Sequence, residues 1–370
     1  MRWAGPRRPS DRRCDRPDRV LDSRVELGSA NLTLVKASTA LRRSALLLVP
    51  ALALAGLAGC SSDSGTASSD SAADAAWSYT DDTGTTVTLD HRPERIASFS
   101  DYAIGLLSNG IDPVAIFGRV DVASDPRFDG YDISKAAIVG NSYGEIDLET
   151  LADAAPDLIV TGIYPTDRDG TLDLAGPYYA FADVEQQAQL AKIAPIVAIE
   201  VGGKGQDVID SSNRLAEALG ASQETIDAAK QKFDTAAADL TAAAKENEIE
   251  VTQMYADADG IYVVKPMDEP ETELYSSLGV KFTNANPDGF YYWDIYSWEN
   301  AAQMMTGDVL LVNVEGYQEA DLRAQPTFAS DPALAAGQIH SWNGAALDYT
   351  SQAAHMEQLA DIIRSSKKLS

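Results

Sequence analysis

From Tyr79 onward the chain alternates short apolar runs with stretches whose apolar residues recur every three or four positions, and this alternation restricts the fold more than any other feature. It is the pattern of parallel strands joined by crossover helices. Strands are expected at 95–99, 113–117, 136–140, 158–162 and 194–201, with helices among them at 102–107 and 148–154. A second set of strands is expected at 250–255, 261–264, 280–283, 309–314 and 338–342, and the chain closes on a helix over about 350–365. The fold class is α/β, and about 290 residues suffice for two lobes of ordinary domain size. The boundaries are an N-terminal lobe over 79–205, a helical linker over 206–247 and a C-terminal lobe over 248–370.

Within the linker, Ser222 is placed to cap a helix running to Asn247, with Glu224 in the first turn where the dipole favours an acid. Ile226, Ala229, Phe233, Ala237, Leu240 and Ala244 form one apolar stripe along about 36 Å at 1.5 Å per residue. Periodicity alone fits a surface helix of either lobe as well as a strut between them.

The front of the chain reads differently. Residues 44–59 are an uncharged apolar run behind Lys36, Arg42 and Arg43, the layout of a signal peptide and shorter than the roughly 20 apolar residues of a membrane span. The run ends in Leu57-Ala58-Gly59-Cys60, which resembles the lipobox of bacterial lipoproteins and implies lipidation of Cys60 and a membrane anchor on the extracellular face. Beyond it, up to about residue 78, a Ser-, Ala- and Asp-rich stretch lacks the apolar surface needed to offset ordering and is expected to be a flexible tether. Residues 1–33, rich in Arg and Asp without any period, are read as lying upstream of the translation start. Arg42-Arg43 leaves both the general and the twin-arginine export routes open.

Composition excludes several functions. Of 29 Lys and Arg and 56 Asp and Glu, 11 and 5 lie in residues 1–59; from Cys60 onward 18 basic groups face 51 acidic ones. Such a field repels nucleic acid. Loss of the leader removes Cys14, and lipid would occupy Cys60, so no thiol is left for redox chemistry or a disulfide. His91, His340 and His355 have no metal-ligand spacing on one helix face and are expected at the surface or in packing roles, so neither a catalytic nor an intrinsic metal site is expected. Gly202-Gly203-Lys204-Gly205 comes nearest to a phosphate loop but lacks the trailing Lys-Ser or Lys-Thr, and no nucleophile elbow is present.

Three blocks carry a family resemblance: Thr83–Leu89 through Arg92-Pro93-Glu94-Arg95-Ile96-Ala97-Ser98; Ile146-Asp147-Leu148-Glu149 through Ala155-Pro156-Asp157-Leu158-Ile159-Val160 and Lys192–Val197; and Ser297-Trp298-Glu299-Asn300 with Asp308–Leu311 and Ala335–Ile339. In order and spacing they resemble the periplasmic binding proteins of iron-siderophore, haem and cobalamin importers, in a Gram-positive lipoprotein form. The resemblance implies two Rossmann-like lobes joined by one long helix, a ligand cleft between them, no enzymatic activity, and as partners an ABC permease and its ATPase, with the receptor a monomer. It also implies that Glu149 and Glu299, each near a helix start, dock to permease arginines.

Ligands of open α/β sheets bind beyond the strand ends. Those ends offer Tyr102, Arg119, Tyr143 and Tyr164 from the first lobe, and Tyr255, Tyr292, Trp293, Tyr317, Arg323 and Trp342 from the second. Rings give a bulky chelate large, rigid contact area with polar tips. Four adjacent aromatics, Phe290–Trp293, cannot all enter one core. An anionic catecholate complex would need a cationic cluster, and only Arg119 and Arg323 are well placed, with Lys265 and Arg168 less so. A neutral or cationic ferric hydroxamate is therefore favoured as the bound siderophore. Haem or cobalamin, a sensory module of the same fold and an exported hydrolase remain alternatives.

Overall fold

The computed structural model describes residues 76–369 apart from Pro287 and Ala345. The expected signal peptide, Cys60 and the expected tether up to residue 75 lie outside the described residues. Strand β1 (Trp77–Thr80) pairs antiparallel with β2 (Thr86–Leu89). This first strand therefore occupies the last two residues of the stretch expected to be tether. Trp77 is buried, stacks 5.9 Å from Tyr79 and donates its indole N–H to Ala218 O at 2.8 Å.

The first large sheet uses β3 (Ile96–Phe99), β4 (Ala115–Phe117), β5 (Ala137–Gly140), β6 (Leu158–Ile163) and β7 (Ile196–Glu200), with α1 (Ser100–Ser108), α2 (Leu148–Asp153) and α3 (Val184–Ile193) between them. Its order is β5-β4-β3-β6-β7 and every pairing is parallel. Parallel strands are covered on both faces, which is why β6 is buried from end to end. Leu158, Ile159 and Val160 have no exposed surface, and each such side chain contributes roughly 1.5–3 kcal/mol of burial. The hairpin turn covers the free edge: Asp81 accepts from Ala198 N and Asp82 from Glu200 N, both at 3.0 Å.

Helices α4 (Gly205–Ala218) and α5 (Gln223–Glu246) carry the chain from this sheet to the next. Ser222 caps α5, accepting from Thr225 N at 3.1 Å. The apolar stripe of α5 does not span open space. Ile226, Phe233, Leu240 and Ala243 are buried in one cluster with Val251, Met356 and Ile363, so the long connecting helix lies against the second sheet and the closing helix.

That sheet contains β8 (Glu250–Ala256), β9 (Ile261–Val264), β10 (Lys281–Phe282), β11 (Trp293–Tyr296), β12 (Val309–Asn313) and β13 (Ile339–Trp342). The order is β11-β9-β8-β12-β13, with β10 also on β8; β9 and β11 are the antiparallel members. Helices α6 (Pro270–Ser277), α7 (Glu319–Ala324), α8 (Pro332–Ala336) and α9 (Tyr349–Ser365) complete it. Both sheets belong to one compact unit. Among the described residues no helix is long and apolar enough to cross a membrane.

Candidate functional site

A cavity of about 550 Å³ lies between the two sheets and draws its walls from both. In the first sheet the strand order reverses at β3, between β4 and β6, the point where open α/β sheets leave a crevice. Tyr102 follows β3 in the first turn of α1, Arg119 follows β4 and Tyr164 follows β6; all three line the cavity. Gly162 makes room for this grouping, because a Cβ there would collide with the Tyr102 hydroxyl. Tyr179 joins them from the β6–α3 loop, its ring centroid 4.6 Å from that of Tyr164 and its N–H donating to Gly162 O at 2.8 Å.

The second sheet contributes Gln253 and Tyr255, two apart on β8 and so on one face, together with Val264, Tyr291, Tyr292 and Trp293. Gly316 gives the Tyr255 ring its space, since a Cβ there would approach that ring to 2.9 Å. Tyr292 packs on Trp293 at 5.1 Å and holds a left-handed backbone, φ 72°, that a bulky residue rarely adopts. Its N–H donates to Asp268 at 3.0 Å and its carbonyl accepts from Lys265 N at 2.9 Å, which fixes that conformation. Burial pushes the phenols of Tyr102, Tyr164 and Tyr292 well above the ordinary tyrosine range, and that of Tyr255 to about 12. All four stay hydrogen-bond donors at neutral pH.

The charged lining is mostly acidic: Asp101, Glu269, Glu271, Glu315 and Asp348 against Arg119. Arg119 is already engaged, with Asp101 at 2.9 Å and with Glu315 at 2.7 Å. Burial raises Asp101, but Arg119 and Arg127 outweigh it and hold the carboxyl at about 2. Glu269 caps α6, accepting from Thr272 N at 2.7 Å; burial and then the neighbouring Glu271 push it up to about 7. Among the described residues no three His, Cys, Asp or Glu are grouped to hold a metal ion.

The strand-end residues thus divide. Tyr102, Arg119, Tyr164, Tyr255, Tyr292 and Trp293 come together around the cavity; Tyr143, Tyr317, Arg323 and Trp342 do not. Tyr143 sits on an exposed turn, edge-on to Tyr179 at 5.3 Å. Tyr317 stacks on Trp298 at 5.9 Å beside Phe328. Arg323 pairs with Glu319 one helical turn away and donates to Leu334 O. Trp342 is buried behind the wall, where its indole donates to Glu271 at 3.1 Å and its ring meets His355. The strand-end rule missed Tyr179, fifteen residues past Tyr164, and the carboxylates Glu269 and Glu271, which enter from the start of α6. Tyr291 was legible only as part of the aromatic run. Glu149 is exposed at the second position of α2, and Glu299 is exposed in the first turn of the 3-10 helix Trp298–Gln303.

Residues 96–346 match the family described as periplasmic binding protein. Among solved structures, the chain is similar to DesE, a ferric-siderophore receptor protein from Streptomyces coelicolor, with 31% identity, 80% of this chain and 100% of that chain covered, and a TM-score of 0.70. It also shares its fold with the siderophore periplasmic binding protein from the fuscachelin gene cluster of Thermobifida fusca, at 23% identity, coverages of 74% and 96%, and a TM-score of 0.56. Staphylococcus aureus SirA, solved in complex with staphyloferrin B, is a further fold neighbour at 20% identity, coverages of 77% and 98%, and a TM-score of 0.55. No curated protein matches the chain at a significant level. With two mostly parallel sheets, a cavity between them and a family match over that whole region, the chain belongs to the periplasmic binding protein family, whose members are binding proteins and not enzymes.

Proposed function

We propose that this protein is a lipid-anchored extracellular receptor that binds a ferric siderophore, a hydroxamate in preference to a catecholate, and hands it to an ABC permease. The observation that carries the reading is the cavity of about 550 Å³ with rings from both sheets, Tyr102, Tyr164 and Tyr179 facing Tyr255, Tyr291, Tyr292 and Trp293. That volume is in the range of small-molecule sites, and phenols supply both area and polar tips to a large chelate. The similarity to a ferric-siderophore receptor over that protein's full length supports the same ligand class.

Charge favours the hydroxamate. A catecholate complex brings several negative charges, and desolvating them next to Glu269, Glu271 and Glu315, with one engaged arginine in the lining, is unfavourable. A neutral or cationic complex meets no such penalty. In this reading residues 79–205 and 248–370 act as the lobes, Cys60 carries the lipid, and Glu149 and Glu299 pair with permease arginines, as exposed carboxylates at helix starts can.

Intrinsic tryptophan fluorescence, titrated with ferric desferrioxamine, a ferric catecholate, haem and cobalamin, tests the assignment. Saturable quenching by the hydroxamate ahead of the other three is expected; quenching by none of them discards the iron reading.

A further inference from the structure

The aromatic wall of the second sheet is held by a residue of the first. Arg168 stands at the tip of a tight turn in the β6–α3 loop, where Thr166 N donates to Thr171 O and Asp167 accepts from Asp169 N and Thr171 N. From that tip its guanidinium reaches across to the other half. Nε donates to both oxygens of Asp268 at 2.9 Å, Nη1 to Gly289 O at 3.2 Å, and Nη2 to Phe290 O at 2.6 Å as well as pairing with Asp268.

Every one of these acceptors controls the segment that ends in Tyr291, Tyr292 and Trp293. Asp268, buried, also accepts from Tyr292 N and so helps to hold that residue's left-handed backbone. From the other side buried Lys265 donates to Asn286 O at 2.8 Å and Asp288 O at 2.6 Å and pairs with Asp294 at 3.1 Å. The loop carbonyls are thus satisfied by two cations, one from each half. Lys265 directly follows β9, in the same half as the wall, whereas Arg168 reaches the loop from the other half.

We propose that Arg168 is a positioning residue that completes the Tyr291–Tyr292–Trp293 wall when the halves approach, so that enclosure of the ligand and formation of its aromatic surface are one event. A planar guanidinium with three nitrogens on four acceptors is needed for this, and an ammonium cannot reproduce it. The inference rests on the cavity being the ligand site.

Hydrogen exchange of ligand-free native, Arg168→Ala and Arg168→Lys proteins, read by mass spectrometry, is combined with association and dissociation rates for ferric desferrioxamine. In Arg168→Ala the amides of residues 288–293 are expected to exchange about tenfold faster with β12 unchanged. Ligand dissociation is expected to quicken about tenfold at an unaltered association rate, with partial rescue in Arg168→Lys. Unchanged exchange in that segment, or a uniform rise over both sheets, overturns the proposal, as does unchanged dissociation. If the native protein does not bind the ferric hydroxamate, the siderophore reading fails while the exchange data still decide the role of Arg168.

Discussion

Arg119 Nε lies 2.7 Å from Glu315 Oε1, so a guanidinium at the mouth of the first sheet is bound to a carboxylate at the mouth of the second. The same guanidinium holds Asp101, which Arg127 reaches from the other side at 2.6 Å. A residue that lines the cavity is therefore also a tie between the halves.

Removing it should cost stability as well as binding. Arg119→Ala leaves Asp101 with Arg127 as its one cationic partner, and breaking a mostly buried pair on one side costs about 3 kcal/mol. Because the folded pKa of Asp101, about 2, lies below its unfolded value, its stabilisation is present above that unfolded value and is lost as pH falls towards 2. Urea denaturation of the ligand-free variant is expected to show the loss, with acid unfolding moved to higher pH.

Trp293, in the cavity lining, and Trp342, in the core, separate binding from packing. Trp293→Ala removes a lining ring and is expected to weaken ferric hydroxamate binding about tenfold or more with little change in melting temperature. Trp342→Ala empties a core position and leaves Glu271 without its indole donor, so it should cost about 3–5 kcal/mol of stability. Paired titration and thermal melts of both variants check this.

Glu269 provides a pH signature. Its folded pKa, about 7, lies above the ordinary carboxylate value, so the folded state holds the proton more tightly than the unfolded chain. Its contribution to stability is fully present below about 4.5 and declines as pH rises through 7. Glu269→Gln, which cannot ionise, should lose about 2 kcal/mol less stability than the native protein between pH 5 and 7.5, read from denaturation curves at the two pH values.

Docking is separable from ligand capture. Glu149→Ala with Glu299→Ala is expected to leave ferric hydroxamate affinity unchanged, since both are exposed and outside the cavity, and to reduce iron uptake by cells at least about tenfold. Unimpaired uptake would remove the docking assignment.

Strand periods and turn chemistry made the two sheets legible: ten expected strands appear within a few residues of their places, and Ser222 caps the long helix as its hydroxyl predicts. The elements missed are those whose sequence carries little pattern. Helix α3 buries only Leu190 and is set by the Asp183 cap, while β11 is short and pairs at an antiparallel edge. At the site, residues directly after β3, β4 and β6 could be read because topology places every such position at one mouth. Tyr317 and Trp342 share that address in the sequence, yet local packing turns Tyr317 onto Trp298 and draws Trp342 under α9. Tyr179 and Glu269 reach the cavity through loop geometry, which no residue period encodes.

Enclosure by rings from both sheets is tested most directly by isothermal titration calorimetry of ferric desferrioxamine into the native protein, Tyr164→Ala and Tyr292→Ala. The account predicts saturable one-to-one binding that weakens by about tenfold or more in each variant, because each removes a ring from a different sheet. Binding that survives both substitutions unchanged, or is lost from one sheet only, would contradict it.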